Sequence, residues 1–582
     1  LIMQLGTESL RKILFVLTKK QRKNIYALLV LAVIAVGFEV LGISLFIPII
    51  SILIDGNNQS DFLLINNLIN KFGENTQINI LFYFIAILTF IYFIKCIFLI
   101  YFNWCQNKLV NDIMHVQSTK LFEMYLNRDY LFHLTKNSAE LLRNIEHVVN
   151  SFQTVILWTT TLVVEIFIMI SLLSFLVFYE PIVSSIGLII SLTLISIIYY
   201  ASKNRIYTWG QKNLIKGEVY RKHLLQGFNG IKEIKFLKKE NVFTSYYDKT
   251  LKEYTDINTL TQTTLNAPKL IIEFIVILLF SGLIFLINQL GYDNSKIITI
   301  LGIFGVVTIR VLPSTNRVLF SLQTIKHYTS SIDVLYQEFK VVKLSEKEIK
   351  NNNNNLFFKF DKKISFKNIE FTYPNSKITT IKNISFEINK GEMISISGKT
   401  GSGKTTIMNN LLGLLEPNQG TIQVDGVNIF ENLNAWQNKI GYVPQSIFLL
   451  DDSIKNNIAF GIKKENINED RINDVIKKAQ LENFISQQKN GLDTFVGERG
   501  ARISGGQLQR IAIARALYNN PEIIVFDEAT NALDEDTENE VMKILLELKG
   551  KKTILLISHS HQNLVHCDKN FELINGTLKE RN

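Results

Sequence analysis

Residues 398–405 have the sequence Gly-Lys-Thr-Gly-Ser-Gly-Lys-Thr, which has the composition of a phosphate-binding loop. The glycines allow backbone N–H groups to turn inward around a phosphate, Lys404 adds a positive charge, and the hydroxyl of Thr405 can coordinate Mg²⁺. The apolar run Met393–Ser397 before the loop predicts a strand, and Thr406–Leu415 after it predicts a helix. A strand, a glycine-rich loop and a helix in this order are what phosphate binding requires.

A second anion-binding motif lies at residues 503–507, with the sequence Ile-Ser-Gly-Gly-Gln. It opens the helix predicted over Leu508–Tyr518. Because the N-terminus of a helix presents free N–H groups and the positive end of the helix dipole, this motif is a second place for a phosphate. Two such places in one segment argue against a chance match to the loop motif.

Residues 364–580 resemble the ATPase domain of ABC transporters, with the family's motifs in order. The resemblance implies that ATP is bound together with Mg²⁺. It also implies catalytic roles for Glu528 as the general base, for Gln445 beside the attacking water and for His559 as the switch histidine. The Mg²⁺ ligands that it implies are Thr405, Gln445 and Asp527.

The resemblance assigns nucleotide binding to residues in several motifs. These residues are Tyr373, Gly398, Lys399, Thr400, Gly401, Ser402, Gly403, Lys404, Thr405, Thr406, Ser504, Gly505, Gly506, Gln507 and Asp534. Tyr373 has the position of the aromatic side chain that stacks on adenine. Two departures from the family pattern, Ile503 for leucine and Asn531 for serine, involve no charge that the chemistry uses, so we expect hydrolysis.

Each of these residues also has an ordinary role when it is taken alone. An Asp-Glu pair after an apolar strand is usually a solvated strand end, a single histidine is usually a surface or core residue, and Tyr373 would be a strand aromatic. These alternatives fail together, because the motifs occur in the family's order at compatible spacings. We therefore expect an enzyme, an ATPase coupled to transmembrane transport.

The N-terminal half is rich in apolar residues. The chain of 582 residues contains 39 Phe and is 47% hydrophobic, which is too apolar for a single soluble enzyme. Six stretches are long enough to cross a hydrocarbon core, which needs ~20 apolar residues. They lie at about 25–54, 78–104, 154–178, 181–201, 270–290 and 297–320. One such stretch could be a buried core helix, but six in one half of the chain favour membrane spans.

Positive charge lies mainly on one side of these spans. Residues 1–24, 105–153 and 202–266 hold six, five and twelve Lys or Arg residues, whereas the segments on the other side hold Lys71 and Lys296. The positive-inside rule places both termini and the ATPase domain in the cytoplasm, and we expect a multi-pass protein of a bacterial inner membrane. Since the net charge of +10 is mostly juxtamembrane, it gives no reason to expect nucleic-acid binding.

The predicted fold class is an α-helical membrane domain of the ABC exporter type, with six transmembrane helices, fused to an α/β P-loop ABC ATPase domain. We expect the transmembrane domain at residues 1–340, a linker at 341–356 and the nucleotide-binding domain at 357–582. The run of asparagines at 351–355 is typical of a solvated linker and marks the boundary.

The long cytoplasmic loops predict helical extensions that continue the spans beyond the bilayer. Each extension should turn through a short transverse helix, near Tyr130–Ser138 and near Gly227–Phe236. In the ABC family such turns press into a groove beside the loop that here contains Gln445. This contact is how nucleotide state would reach the membrane half.

The chain carries one phosphate-binding loop and one Ser-Gly-Gly-Gln motif. In the ABC arrangement, ATP lies between the loop of one domain and the motif of another. One copy therefore cannot assemble a working site, and the chain resembles a half-transporter that pairs with a second copy of itself. A heterodimer is the alternative, which intact catalytic motifs make less favoured.

The last predicted span contains Arg310 and Arg317, which lie two helical turns apart on one face, with Pro313 between them. Lys269, at the start of the fifth span, could add a third cation. An arginine within a membrane costs ~2.5 kcal/mol or more unless it faces water or an anion. We predict that these three cations form a substrate cavity for an anionic group. The alternative is that they lie at the cytoplasmic ends and snorkel or pair with acids.

Residues 310–317, followed by Tyr328-Thr329-Ser330-Ser331, resemble the lipid-linked oligosaccharide flippases of the bacterial protein-glycosylation type. Those proteins carry a short amphipathic outer helix after their first span, and Asp61–Phe72 fits such a segment. The resemblance implies that the chain flips a polyprenyl diphosphate glycan from the cytoplasmic leaflet. The lipid bilayer and the lipid-linked glycan would then be its partners, besides the second copy.

Two other functions fit the sequence. One is an exporter of drugs, lipids or peptides, in which the same cations would be structural. The other is an ATP-gated channel or regulator, which would pass ions or act on a partner without moving a substrate. Glycan structure and lipid length have no signature in the sequence.

Overall fold

The computed structural model describes residues 7–44, 77–179, 181–289, 294–349, 359–374, 376–497, 500, 502–527, 535–558 and 564–581. The chain divides into two compact units. The first comprises Leu1–Arg128 and Lys136–Ser345, and the second comprises Asp129–Thr135 and Glu346–Asn582. The predicted outer helix Asp61–Phe72 lies outside the described residues.

The first unit is helical. Its helices are α1 Thr7–Val16, α2 Lys19–Ser44, α3 Gln77–Leu126, α5 Ser138–Arg143, α6 Val149–Tyr179, α7 Pro181–Asn229, α8 Ile231–Leu237, α9 Glu240–Gln289, α10 Asn294–His327 and α11 Thr329–Ile349, with a π-helical turn at Asn144–Val148. Helix α4, Tyr130–Thr135, belongs to the second unit. Within the described residues, three helical stretches are long and apolar enough to cross a membrane: Lys19–Gly42, Ile85–Leu126 and Ser138–Ser174. The six predicted spans lie on α2, α3, α6, α7, α9 and α10, as far as those spans are described.

Three of these helices are much longer than a membrane requires. Helices α3 and α9 have 50 residues each and α7 has 49, which corresponds to about 75 Å at 1.5 Å per residue, against ~30 Å for a hydrocarbon core. The short helices α4 and α8 follow α3 and α7, at the positions where the sequence predicts transverse turns. Each long helix therefore extends well beyond its apolar span, α3 and α7 after the span and α9 before it.

Two contacts explain unusual residues in the first unit. Glu39 on α2 and Lys95 on α3 form an ion pair at 2.9 Å, with side chains 4% and 12% exposed, so that each buried charge has a partner. On α7, Gly210 lies against the end of α10, where an added Cβ would be 1.9 Å from the carbonyl oxygen of His327. The two backbones meet there at a distance that only glycine allows.

The second unit contains two sheets. Strands β1 Lys363–Phe371, β2 Ile381–Asn389, β4 Gln419–Val424 and β5 Val427–Asn428 form an antiparallel sheet in the order β2-β1-β4-β5. Strands β3 Met393–Ser397, β6 Ile440–Val443, β7 Ile523–Asp527, β8 Thr553–Ile557, β9 Lys569–Ile574 and β10 Thr577–Arg581 form the other, in the order β10-β9-β3-β8-β7-β6. The helices are α12 Lys404–Leu411, α13 Leu433–Gln437, α14 Ile454–Ile458, α15 Glu469–Lys478, α16 Glu482–Ser486, α17 Gly505–Leu517 and α18 Glu535–Leu548.

The larger sheet sets the position of the predicted site. Strands β3, β8, β7 and β6 are parallel neighbours, and all residues of β3, β7 and β8 are buried, as strands covered on both faces must be. Parallel strands end at the same edge of a sheet. The phosphate-binding loop after β3, Asp527 at the end of β7 and Gln445 after β6 therefore share that edge.

Two helix boundaries differ from the predictions. Helix α12 begins at Lys404 and ends at Leu411, because Gly403 and Gly413 adopt φ of +109° and +69° at its two ends. Helix α17 begins at Gly505, three residues before the predicted start, because Ser504 caps it.

Candidate nucleotide-binding site

The loop between β3 and α12 has a backbone that needs its glycines. Gly398, Gly401 and Gly403 have φ of +149°, +81° and +109°, values that residues with a Cβ rarely adopt. An added Cβ at Gly398 would lie 2.5 Å from the carbonyl oxygen of Leu573. The loop conformation therefore depends on the glycine spacing that the motif supplies.

Lys404 is the first residue of α12, and its side chain turns back over the loop. Its Nζ donates hydrogen bonds to the carbonyl oxygens of Gly398 at 2.7 Å and Lys399 at 3.3 Å, and the residue is 6% exposed. Lys399 itself is exposed. The loop thus holds one buried ammonium group against its own backbone, where it can offer charge to a phosphate.

Tyr373 lies beside this loop, as its predicted role requires. Its hydroxyl is 3.2 Å from the hydroxyl of Thr406 in the first turn of α12. Its ring meets that of Phe371 edge to face, with centroids 5.0 Å apart. The half-buried ring is therefore held beside α12 through its hydroxyl and through its contact with Phe371. Stacking on adenine stays a prediction.

Asp527 ends β7 and is 3% exposed. The hydroxyl of Tyr442, on the neighbouring strand β6, donates a hydrogen bond to its carboxylate at 3.4 Å. Burial, followed by the charge of Asp527, raises the pKa of Tyr442, so this hydroxyl keeps its proton and remains a donor. Sequence reasoning missed Tyr442, because the sequence does not show that its strand β6 pairs with β7.

The predicted Mg²⁺ ligands suit that ion. Thr405, Asp527 and Gln445 supply a hydroxyl, a carboxylate and an amide oxygen, and Mg²⁺ prefers oxygen donors completed by substrate phosphates. No group of three or more His, Cys, Asp or Glu residues that could hold a metal occurs in the part of the chain that the structure describes. An ion held by these three residues would supply positive charge to the phosphates of a bound nucleotide.

Ser504 and Gln507 form a capping box at the start of α17. The Ser504 hydroxyl accepts from the N–H of Gln507 at 3.4 Å, and the Gln507 side chain accepts from the N–H of Ser504 at 3.1 Å. A Cβ added at Gly505 would meet nothing within 4 Å. The capping box therefore fixes the start of α17, and the position of a side chain at Gly505 is open.

Three predicted site residues, Glu528, Asp534 and His559, lie outside the described residues, and their roles stay predictions. Two of them directly follow described strand ends. Glu528 comes after Asp527, and His559 comes after Ser558, which is fully buried beyond the end of β8.

The three predicted substrate cations have different surroundings. Arg317 on α10 lies with its Nε 2.9 Å from a carboxylate oxygen of Glu165 on α6, and the two side chains are 42% and 4% exposed. Lys269 on α9 is exposed. Arg310 lies on α10, but its side chain is outside what the structure describes. Arg317 is therefore paired with an acid, which was the alternative reading from the sequence, and part of its charge is neutralised.

Two family models match the chain. The model described as ABC transporter transmembrane region matches residues 25–310, and the model described as ABC transporter matches residues 381–531. The chain belongs to the ABC transporter family. Across 96% of its length it also superposes on 94% of a bacterial Atm1-family ABC exporter with ATP bound, with a TM-score of 0.78 and 21% identity. The fold class predicted from the sequence, a helical transmembrane domain fused to an α/β ABC domain, is confirmed.

Curated relatives of the transporter match over a shorter stretch. The chain is 37% identical over 219 residues to the ATP-dependent lipid A-core flippase of Pasteurella multocida. It is 39% identical over 222 residues to the probable multidrug resistance ABC transporter ATP-binding/permease protein YheI of Bacillus subtilis. These alignments span 38% of this chain and 38% and 37% of the two relatives, less than two fifths of either.

Proposed function

We propose that this ABC transporter uses ATP hydrolysis to move amphipathic molecules across a bacterial inner membrane. The observation that carries the ATPase part is the buried ammonium of Lys404, held over a glycine loop at the sheet edge where Asp527 ends β7. In this proposal the hydroxyl of Thr405, Asp527 and Gln445 hold Mg²⁺. Glu528 then accepts the proton of the attacking water.

The working form in this proposal is a homodimer. The motif Ser504–Gln507 lies at a helix N-terminus with open space beside Gly505, and free N–H groups there suit a phosphate of a nucleotide held by a second copy. Helix α8 supports pairing as well, since Phe236 on it is 84% exposed and Leu237 is 58% exposed. Large apolar side chains at such exposure are typical of a surface that a partner covers.

The distribution of charge supports the orientation in this proposal. The segments rich in Lys and Arg flank the spans on the side of both termini, so we place the ATPase domain in the cytoplasm. ATP is available there, and a substrate would be taken from the inner leaflet or the cytoplasm.

For the substrate we propose a lipid or a hydrophobic drug, because relatives that share part of the sequence are named as a lipid A-core flippase and a multidrug resistance transporter. The Arg317–Glu165 pair favours this reading over a cavity of free cations, since the carboxylate already neutralises part of the charge. A lipid-linked oligosaccharide is the second candidate. The 42% exposure of Arg317 favours it, because a paired guanidinium still has N–H groups that can donate to a diphosphate.

Transport in proteoliposomes separates these candidates. Purified protein is reconstituted, MgATP is added, and the movement of a fluorescent phospholipid, a hydrophobic dye and a polyprenyl diphosphate glycan is followed. We expect ATP-dependent movement of the lipid or the dye, lost in Lys404→Met. ATP-dependent ion current with no movement of any of the three would overturn the proposal and favour a channel.

Arg317→Leu and Glu165→Gln test the role of the membrane charge pair, with Lys95→Leu at the other pair as the matched control. A purely structural pair predicts that all three variants lose thermal stability while transport per folded molecule is kept. A diphosphate site predicts that Arg317→Leu alone abolishes glycan movement and spares dye movement.

A further inference from the structure

Arg515 lies in the last turn of α17, the helix whose first turn carries the Ser504–Gln507 motif. Its guanidinium donates three hydrogen bonds to the segment that follows Gln445. Nε and Nη2 donate to the backbone and side-chain oxygens of Asn457 at 2.8 and 3.1 Å, and Nη1 donates to the carbonyl oxygen of Phe448 at 2.8 Å. The guanidinium carbon also lies 4.7 Å from the ring centroid of Phe460. One side chain therefore holds both ends of the segment 448–460.

The side chain of Asn457 cross-links this segment by hydrogen bonds. It is fully buried, and its side chain accepts from the N–H of Leu450 at 2.9 Å. The same side chain donates to the carbonyl oxygens of Leu450 at 3.0 Å and Ser453 at 3.1 Å. The loop between Phe448 and α14 is thus closed on itself before Arg515 binds it.

Stability alone does not explain a charged side chain at position 515, because burying a charge costs free energy. Burial lowers the pKa of Arg515 to about 10, and well-packed apolar residues often stabilise a protein as much as buried charges do. The planar fork of an arginine offers directed donors instead, which fix orientation. The held segment also presents Phe448 and Phe460 at the surface, 62% and 47% exposed.

We propose that Arg515 is a positioning residue that makes the segment after Gln445 move together with the Ser504 end of α17. A displacement of the first turn of α17 by nucleotide would be carried along this 13-residue helix to Phe448 and Asn457. The inference deepens the proposed function, since it names the link between the second phosphate motif and the loop of Gln445. Its structural test does not require that the protein transports anything.

Arg510 provides the matched control. It lies on the same helix, donates to the carbonyl oxygen of Gln480 at 2.8 Å and pairs with Glu540. Like Arg515, it is partly buried and binds a backbone oxygen outside α17. Its described contacts lead to the segment after α15 and to α18 instead of the segment 448–460.

The first test is hydrogen exchange on the intact protein, with and without the non-hydrolysable analogue AMP-PNP and Mg²⁺. In the parent and in Arg510→Met, we expect the analogue to change the exchange of amides 446–460. In Arg515→Met this change should be lost while the affinity for AMP-PNP stays within about twofold of the parent. An unaltered response of these amides in folded Arg515→Met would overturn the proposal.

The second test is steady-state ATPase activity. Residues that carry coupling typically change it by about 2- to 30-fold, so we expect kcat of Arg515→Met to fall in this range with KM for ATP unchanged. Arg515→Lys, which keeps the charge and loses the fork, should fall between Met and the parent, and it carries both tests if Arg515→Met fails to fold. Equal kcat losses in Arg510→Met and Arg515→Met would mean that Arg515 acts only through stability, which contradicts the proposal. A parent without ATPase activity would refute the proposed function and leave the exchange test standing.

Discussion

Replacing Lys404 with Met tests the central feature of the nucleotide site. Met has similar length and keeps the apolar stem, but it removes the ammonium group that lies 2.7 Å from the carbonyl oxygen of Gly398. Because Lys404 is 6% exposed, a water molecule cannot readily take the place of the missing ammonium group in the variant. We expect ATP affinity to fall strongly while the domain still folds.

The size of the loss follows from the contact that a phosphate would make. A hydrogen bond to a charged group contributes about 1.5–3 kcal/mol, and each 1.4 kcal/mol is tenfold in affinity. The Kd for ATP should therefore rise by about 10- to 150-fold. Folding loses the bonds from the ammonium group to the carbonyl oxygens of Gly398 and Lys399, and for a domain of this size each 1 kcal/mol of lost stability lowers Tm by about 2–4 °C.

Lys399→Met is the matched control, since it removes the same charge from an exposed position in the same loop. Isothermal titration with ATP and a thermal melt on each purified variant provide the readouts. We expect Lys399→Met to bind within about fivefold of the parent, because exposed charges contribute up to about 1 kcal/mol and the variant keeps the backbone N–H through which a loop residue binds phosphate. Lys404→Met with parental ATP affinity, or with an affinity equal to that of Lys399→Met, would refute the reasoning.

Two further changes have clear expected outcomes. Glu528→Gln should keep ATP binding and lose nearly all turnover, since an amide cannot accept the proton of the attacking water; hydrolysis at the parental rate in purified protein would remove Glu528 as the base. Gly210→Ala should destabilise the first unit by several kcal/mol, because its Cβ would lie 1.9 Å from the His327 carbonyl oxygen. A melt of Gly210→Ala beside Gly282→Ala, where a Cβ meets nothing within 4 Å, checks this, and equal Tm values would contradict it.

Local sequence patterns predicted the elements that hold the nucleotide motifs. The strand Met393–Ser397 was placed at its observed bounds because a short, continuous apolar run before a glycine loop is typical of a buried parallel strand. The helix after the loop was placed too late, because Lys404 was counted with the loop although it begins α12. Its boundaries depend on the positive φ of Gly403 and Gly413, which composition alone does not assign.

Contacts between residues far apart in the chain could not be predicted from the sequence. Tyr442 on β6 donates to Asp527 on the neighbouring strand β7. Glu165 on α6 pairs with Arg317 on α10, and Gly210 on α7 lies against His327 on α10. Periodicity reports which face of an element is apolar, but it does not say which elements meet or in what register. The sequence therefore offered no reason to prefer the paired interpretation of Arg317, and it did not single out Gly210.

ATP hydrolysis at sites shared between two copies is the feature on which the proposed function most depends. Differently tagged chains carrying Ser504→Arg and Lys404→Ala are co-expressed, and mixed dimers are isolated by two affinity steps. If each site joins Lys404 of one copy to Ser504 of the other, one site carries both lesions and the other carries none. The matched control pairs a parental chain with a chain that carries both substitutions, so that each site has one lesion.

We predict ATPase activity in the first kind of mixed dimer that is well above either mutant homodimer, and no such activity in the control pairing. Equal activity in the two pairings, or full activity of a monomeric parental chain, would contradict composite sites and with them the proposed mode of action.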